Sequence, residues 1–401
     1  MASDGALLTL ANVVTLQRGT TYKSALLGQP GPVLLGLASI QRNGGFRDDN
    51  LKTYGGDSPE KLTLHPGDIY VSLKDVTQSA DLLGSIARVP THVPSGRVTQ
   101  DTVKLSFIRK DVPSCYIYWL LRTPFYREYC RAHAIGTTNL SLAREDFLAF
   151  PVPRPKTREL TLVETLDALD DKIELNRRSN ETLEALAQSI FKSLFVDASA
   201  TKLPKGWDVR ALYDCADYIN GAAFRNEHFS AERQGLPVVK IGELKNGISA
   251  QTKFCEVERE PKYRIASGEI LFSWSGSPDT SIDIFVWADG DGWLNQHIFK
   301  IQFKRPVEKF FVYYLLRHLK PVFIEIARDK QTTGLGHVTG QDLKRLKTAF
   351  PPDDVLQGFN QVTEPLFQKV YSNLCESRTL AELRDALLPK LLSGELRMPN
   401  K

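Results

Sequence analysis

Apolar positions along this chain change period twice, in the same order each time. Over residues 8–155 they come in short runs such as Val33-Leu34-Leu35-Gly36-Leu37 and Gly67-Asp68-Ile69-Tyr70-Val71-Ser72-Leu73. The turn formers Asn43-Gly44-Gly45 and Pro66-Gly67 separate them. Such runs, bounded by Gly, Pro and Asn, predict strands. The stretch 114–133 carries aromatic residues at helical spacing, and 141–148 predicts a short capped helix. Pro151, Pro153 and Pro155 then break the chain.

From Thr157 the period lengthens. Leu162, Leu166, Leu169, Ile173, Leu183, Ile190 and Leu194, with Asn176, Asn180 and Ala187 between them, repeat at spacings of four and three. This heptad seam predicts a long amphipathic helix. Lys202-Leu203-Pro204-Lys205-Gly206-Trp207 ends it. A second strand-rich stretch runs to Phe350-Pro351-Pro352, and a second seam follows with Phe359, Leu366, Val370, Leu380, Leu387 and Leu391. Asn373 and Ser377 take the places of Asn176 and Asn180 in it.

The two halves repeat each other. Tyr118-Trp119-Leu120-Leu121-Arg122 returns as Tyr313-Tyr314-Leu315-Leu316-Arg317. His65-Pro66-Gly67-Asp68-Ile69 returns as Ala266-Ser267-Gly268-Glu269-Ile270, and Phe150-Pro151 as Phe350-Pro351. A period of about 200 residues is too long for a solenoid unit and indicates a duplicated domain. The predicted fold is mixed α/β (α+β), with strand-rich domains at 1–156 and 199–352. Heptad helices at 157–198 and 353–397 separate them and pair antiparallel about a pseudo-twofold. Each helix of about 38 residues is roughly 55 Å long. Neither is stable alone with so apolar a stripe, so each is expected to cover the other's. In an antiparallel pair centred near Arg178 and Cys375, Asn180 faces Asn373 and Asn176 faces Ser377. A polar layer there costs stability and sets register; the plainer alternative is that these side chains face water.

Composition adds limits. The chain has 401 residues, 42% hydrophobic and 24% charged, which is ordinary for a globular protein with two cores. A net charge of +4 permits a polyanionic partner without requiring one. Five scattered cysteines form no CxxC pair, which fits reduced thiols in the cytoplasm. No signal peptide or membrane-spanning run is visible. The seven histidines form no metal spacing, so no metal is expected. There is no GxSxG elbow and no phosphate loop. Phe350-Pro351-Pro352-Asp353 has the wrong order for an amino-methyltransferase motif, and Glu243-Leu244-Lys245 lacks the acidic partner a metal nuclease needs. No catalytic residue is assigned.

Several segments together resemble the specificity subunits of type I restriction–modification systems. Asn180-Glu181-Thr182-Leu183-Glu184-Ala185-Leu186-Ala187-Gln188-Ser189-Ile190-Phe191 is similar to that family's central helix, and Leu203-Pro204-Lys205-Gly206-Trp207 to the start of its second recognition domain. Gly268-Glu269-Ile270-Leu271-Phe272-Ser273-Trp274 and Leu294-Asn295-Gln296-His297-Ile298-Phe299 resemble its recognition strands. Leu387-Leu388-Pro389-Lys390-Leu391-Leu392-Ser393-Gly394-Glu395-Leu396 resembles its C-terminal ending. The first half departs from the pattern, with Val98-Thr99-Gln100-Asp101-Thr102-Val103 where the second has Leu294-Asn295-Gln296-His297-Ile298-Phe299.

The resemblance implies a subunit with no catalysis of its own. Each target-recognition domain would read one half of a split double-stranded DNA site. The helices would act as ruler and as dock for two modification subunits, which would methylate adenine with S-adenosylmethionine. Restriction subunits, where present, would use ATP and Mg. About 55 Å of helix spans roughly 16 base pairs. Base reading calls for Arg or Lys toward guanine and Asn or Gln toward adenine. On that basis the candidates in the first domain are Arg18, Lys23, Arg42, Asn43, Arg47, Lys74, Thr137, Thr138 and Asn139. In the second they are Asn220, Arg225, Lys245, Asn246, Ser275, Lys330, Gln331, Thr332, Thr333 and His337. The Thr-Thr turns are read as helix starts suited to phosphate; the bland reading of every one of these residues is an ordinary cap or solvated turn. Two other functions stay open: a stand-alone methyltransferase or nuclease with an unseen site, and a coiled-coil protein scaffold.

Overall fold

The computed structural model describes residues 8–49, 51–76, 79–137, 139–199, 202–331 and 335–393. Contacts divide the chain into two units, Met1–Asp171 with Glu382–Lys401, and Lys172–Ala381. The division falls inside both long helices, Thr157–Phe191 and Asp353–Leu387.

In the first unit a four-stranded antiparallel sheet has the order Val14–Arg18, Thr102–Phe107, Ile69–Ser72, Ile86–Arg88. Strand Ile69–Ser72 is buried throughout because both of its faces are covered. Alternation then decides the partners. Ile69 and Val71 enter one core with Trp119, Phe147 and Phe150. Tyr70 enters a second core with Leu35 and Val98. The strands beneath it, Val33–Leu35 and Gly96–Val98, run parallel, and Thr63–Leu64 pairs antiparallel with the latter. Leu391 is buried in the first core, and Leu387 and Leu388 pack on it.

The second unit repeats this plan. Its main sheet has the order Ala216–Asn220, Ile298–Phe303, Ile270–Ser273, Asp283–Val286. Ile270 and Phe272 face the aromatic core, and Leu271 faces the opposite side. Leu236–Val239 and Gly292–Leu294 form the matching parallel pair. The turns before the central strands also match. Gly67 (φ 89°) and Gly268 (φ 93°) sit in the left-handed region that glycine tolerates. Their N–H groups donate at 2.8 Å to the carbonyls of Val89 and Trp287.

Several expectations need correction. The aromatic stretch 114–133 is two helices, Ser114–Leu120 and Pro124–Ala132, parted at Thr123, whose side chain caps the second. Ser141 lies in strand Leu140–Leu142; the short helix starts later, at Arg144. On the central helix Leu194 is 46% exposed while Phe195 is 3% exposed. A wide π-helical turn, Lys192–Asp197, brings Phe195 to the covered face instead. On the other helix Thr363 and Phe367 are buried beside the anticipated Phe359, Val370 and Asn373.

Candidate nucleic-acid interface

Arg18 ends the outer strand of the first main sheet, and its Nε donates to the Gln100 carbonyl at 3.2 Å. The 99–102 turn is clamped: Thr102 Oγ1 receives the Thr99 N–H at 3.0 Å and donates to the Leu35 carbonyl at 2.5 Å. Gly19 lets the two segments touch, since a Cβ there would stand 2.1 Å from the Thr99 oxygen. On the same turn Asp101 accepts from Lys74 Nζ at 3.1 Å. Lys74 pairs with Ser141 in a small sheet that continues into a hairpin of Ala134–Ile135 and Leu140–Leu142. Buried Asp75 fixes that strand by accepting from the Leu82 and Leu83 amides at 2.7 and 3.2 Å. Thus Arg18, Lys74, Thr137 and Asn139 come from three distant segments to one edge. Thr137 and Asn139 lie in the link between hairpin strands rather than at a helix start, so helix-terminus phosphate binding does not apply there. Thr138 lies outside the described residues.

The second unit has the same edge with other side chains. Asn220 ends the outer strand, and its Oδ1 accepts from the Trp274 indole at 3.1 Å. Gly221 admits the 295–298 turn, with a Cβ position 2.2 Å from the Asn295 oxygen. Trp274 stacks on Phe299 and lies edge-on to His297. Ser275 pairs with His337 across a two-stranded ladder. Asn220, Gln296, Arg259 and Tyr263 line an open cleft of about 570 Å³. Asn220, Ser275 and His337 therefore come together; Thr332 and Thr333 lie outside the described residues.

Other candidates are held locally, most by the side chain and Lys23, Asn43 and Gln331 by the backbone N–H. The Lys23 amide donates to the Tyr54 hydroxyl. Arg42 stands 3.7 Å from Asp81, whose carbonyl receives the Asn43 amide at 2.8 Å. Arg47 closes on Asp49 at 2.6 and 2.7 Å, and that hydrogen-bonded carboxylate raises its pKa. Arg225 is exposed beside Glu227. Lys245 donates to the Thr280 carbonyl, and Asn246 to Gly242 within its own helix. Lys330 pairs with Asp342. Burial pushes the Asp342 carboxyl up, but Lys330 and Thr339 hold it below the usual range. Gln331 is exposed, its amide on the Arg328 carbonyl. Gln100, Gln296 and His297 are not among the sequence-based candidates, because three residues between strands carry no period of their own.

The long helices meet their own unit through polar groups. In the second unit Asn373 Nδ2 donates to Asn180 Oδ1 at 2.8 Å, and Asn180 Nδ2 to the Val370 carbonyl at 3.3 Å. Asn176 Nδ2 donates to Ser377 Oγ at 3.2 Å and to Glu376 at 2.9 Å. The Asn176 donor, then Lys172, holds the Glu376 carboxyl below its ordinary value. Contacts rise along one helix as they fall along the other, so the segments are antiparallel.

The repeated Tyr-x-x-x-Arg motif has a job beyond filling the core. In the first unit Arg122 reaches Asp170 at 2.8 Å beside Tyr118, and Arg384 reaches the same carboxylate at 2.8 Å. Burial pushes the Asp170 carboxyl up, but the two guanidiniums outweigh it and hold it low. In the second unit Tyr313 donates to Glu184 at 2.7 Å, and Arg317 stands 3.3 Å from it. Each repeat thereby ties its core to an acidic residue of the central helix. Among the described residues of either unit taken alone, no three His, Cys, Asp or Glu side chains converge to share an ion.

Comparison with known proteins places this arrangement. Residues 204–373 match the family model described as the type I restriction modification DNA specificity domain. The chain is 29% identical over 313 residues to the type I restriction enzyme MjaIX specificity subunit of Methanocaldococcus jannaschii, covering 73% of this chain and 72% of that one. It is 21% identical over 324 residues to the HindI specificity subunit of Haemophilus influenzae, covering 62% and 69%. A crystal structure of the type I restriction-modification system S subunit from M. genitalium shares the fold, with a TM-score of 0.57 over 98% of both chains at 14% identity.

Proposed function

We propose, on the premise that this chain belongs to the type I restriction–modification specificity subunits, that its two units read the two halves of one split DNA site. The chain is the non-catalytic DNA-specificity component of such a system; catalysis resides in other subunits. One observation carries the finer reading. Both units present the same edge, built on a strand end, a glycine and a turn, but with different side chains on it. A shared scaffold with unlike contacts suits two unlike base sequences.

The paired helices set the spacing of the two halves and dock two modification subunits. Those partners hold S-adenosylmethionine, and restriction subunits hold ATP and Mg; nothing in this chain is assigned to a cofactor. Among the described residues no helix is long and apolar enough to cross a membrane, and we assign the chain to the cytoplasm with its DNA.

The test is reconstitution. The full chain is mixed with its modification partner and S-adenosylmethionine, and methylated sites are mapped in a random DNA library. A two-part adenine-methylation motif that vanishes without this chain supports the reading. Methylation with no sequence preference, or binding without the salt dependence of phosphate contacts, overturns it.

A further inference from the structure

Superposing the two units by strand order places residue against residue. Strand Val14–Arg18 answers Ala216–Asn220, so Arg18 answers Asn220. Isolated parallel bridges Thr20–Thr99 and Ala222–Asn295 mark the same junction in each. Gln100 then answers Gln296, and Asp101 answers His297. In both units a glycine at the junction lets the two backbones touch.

We propose that positions 18 and 220 are the specificity-determining residues of the two heads: Arg18 reads a guanine in one half-site, and Asn220 with Gln296 reads an adenine in the other. This rests on the DNA-specificity reading above. Arg18 is exposed and spends its Nε on the Gln100 carbonyl. That bond aims the side chain and leaves Nη1 and Nη2 as parallel donors, the pair that fits guanine O6 and N7. Beside it, Lys74 is held by Asp101 in a half-exposed pair that water and DNA can exchange.

At position 220 the chemistry is complementary. The Trp274 indole occupies one lone pair of Asn220 Oδ1 and thereby settles the amide's orientation. Nδ2 and the second lone pair remain, a donor and an acceptor side by side, which is the pattern adenine N7 and N6 require. Gln296 lines the same cleft and offers a second amide. Phosphate is the poorer occupant here. Among the cleft's lining residues Arg259 is offset by Glu258 and Glu260, and neither Asn220 nor Gln296 has a charge to offer a phosphate.

The experiment uses the full chain assembled with its modification partner, on a library randomised across both half-sites. Arg18→Gln is expected to lose roughly tenfold or more of the preference for one guanine, and Asn220→Ala or Gln296→Ala of the preference for one adenine in the opposite half. Each variant leaves the other half's preferences intact. Gln296→Ala and Arg18→Gln change exposed side chains, so they report even if Asn220→Ala fails to fold. A stable variant that keeps every base preference, or weakens all sequences alike, overturns the assignment. A wild-type complex with no two-part motif overturns the underlying function as well, and so separates the two failures.

Discussion

Asn373 donates a 2.8 Å hydrogen bond to Asn180 across the helix pair, while its own Oδ1 is buried without an acceptor's due donor. The pair is thus only partly satisfied. Asn180→Leu alone removes the one side-chain partner and is expected to cost about 1–3 kcal/mol. The double change to leucine is expected to be at least as stable as the parent, with a broader spread of interhelical distances. Denaturant midpoints and spin-label distances check both, and a double variant that does not fold would contradict the role of these residues in register.

Asp170 gives the first unit a pH dependence. Its carboxyl is held below the ordinary value of about 3.9 by Arg122 and Arg384. A depressed carboxylate stabilises above its unfolded pKa, and that contribution is lost as pH falls through the folded value. Stability is therefore expected to fall below about pH 4, and Asp170→Asn to flatten this acid limb. At neutral pH the same change strands two guanidiniums and costs about 3 kcal/mol. Urea titrations from pH 3 to about 7 measure both effects.

Gly221→Ala places a methyl 2.2 Å from the Asn295 oxygen, a backbone atom that must move. The expected cost is about 1–3 kcal/mol. Because the 295–298 turn shifts with it, base preference should change in one half-site only. Site mapping of the variant reads this directly, and an unchanged motif would show that the turn does not face DNA.

Phe195 stands 4.9 Å, ring to ring, from Phe311 and from Phe359. Phe195→Ala is expected to cost about 3–5 kcal/mol, and Leu194→Ala well under about 1 kcal/mol. Thermal unfolding of the two variants distinguishes the observed face from the strict heptad.

Seven residues added to each long helix lengthen it by about 10 Å, or roughly three base pairs. The preferred spacer between the half-sites is expected to grow by that amount. A spacer unchanged in the mapped motif would remove the ruler role.

Much of this was legible because duplication and the heptad period are long-range signals. Leu162, Leu166 and Asn373 each sit where the seam puts them. The losses are local or nonlocal in specific ways. Thr137 looked like a helix start because Ser141 resembles a cap, yet strand pairing with Lys74 claims Ser141. Phe195 displaced Leu194 because one widened turn shifts the phase without any mark in the pattern. Arg122 and Asp170 carry no shared spacing, so their ion pair appears only once the fold brings them together. Gln100 and Gln296 already align by sequence, but their place beside Arg18 and Asn220 depends on strand pairing that no sequence spacing carries.

The first unit draws on both ends of the described chain, since Leu391 is buried among residues that include Leu10 and Phe150. The second is one continuous stretch. During synthesis the first can therefore close only after the whole of the second has been made, and its packing face stays open for as long as that intervening stretch takes. A chaperone, or early capture by a partner, has its natural opportunity in that interval, and truncation near Leu387 would harm the N-terminal head before the one nearer to it in sequence.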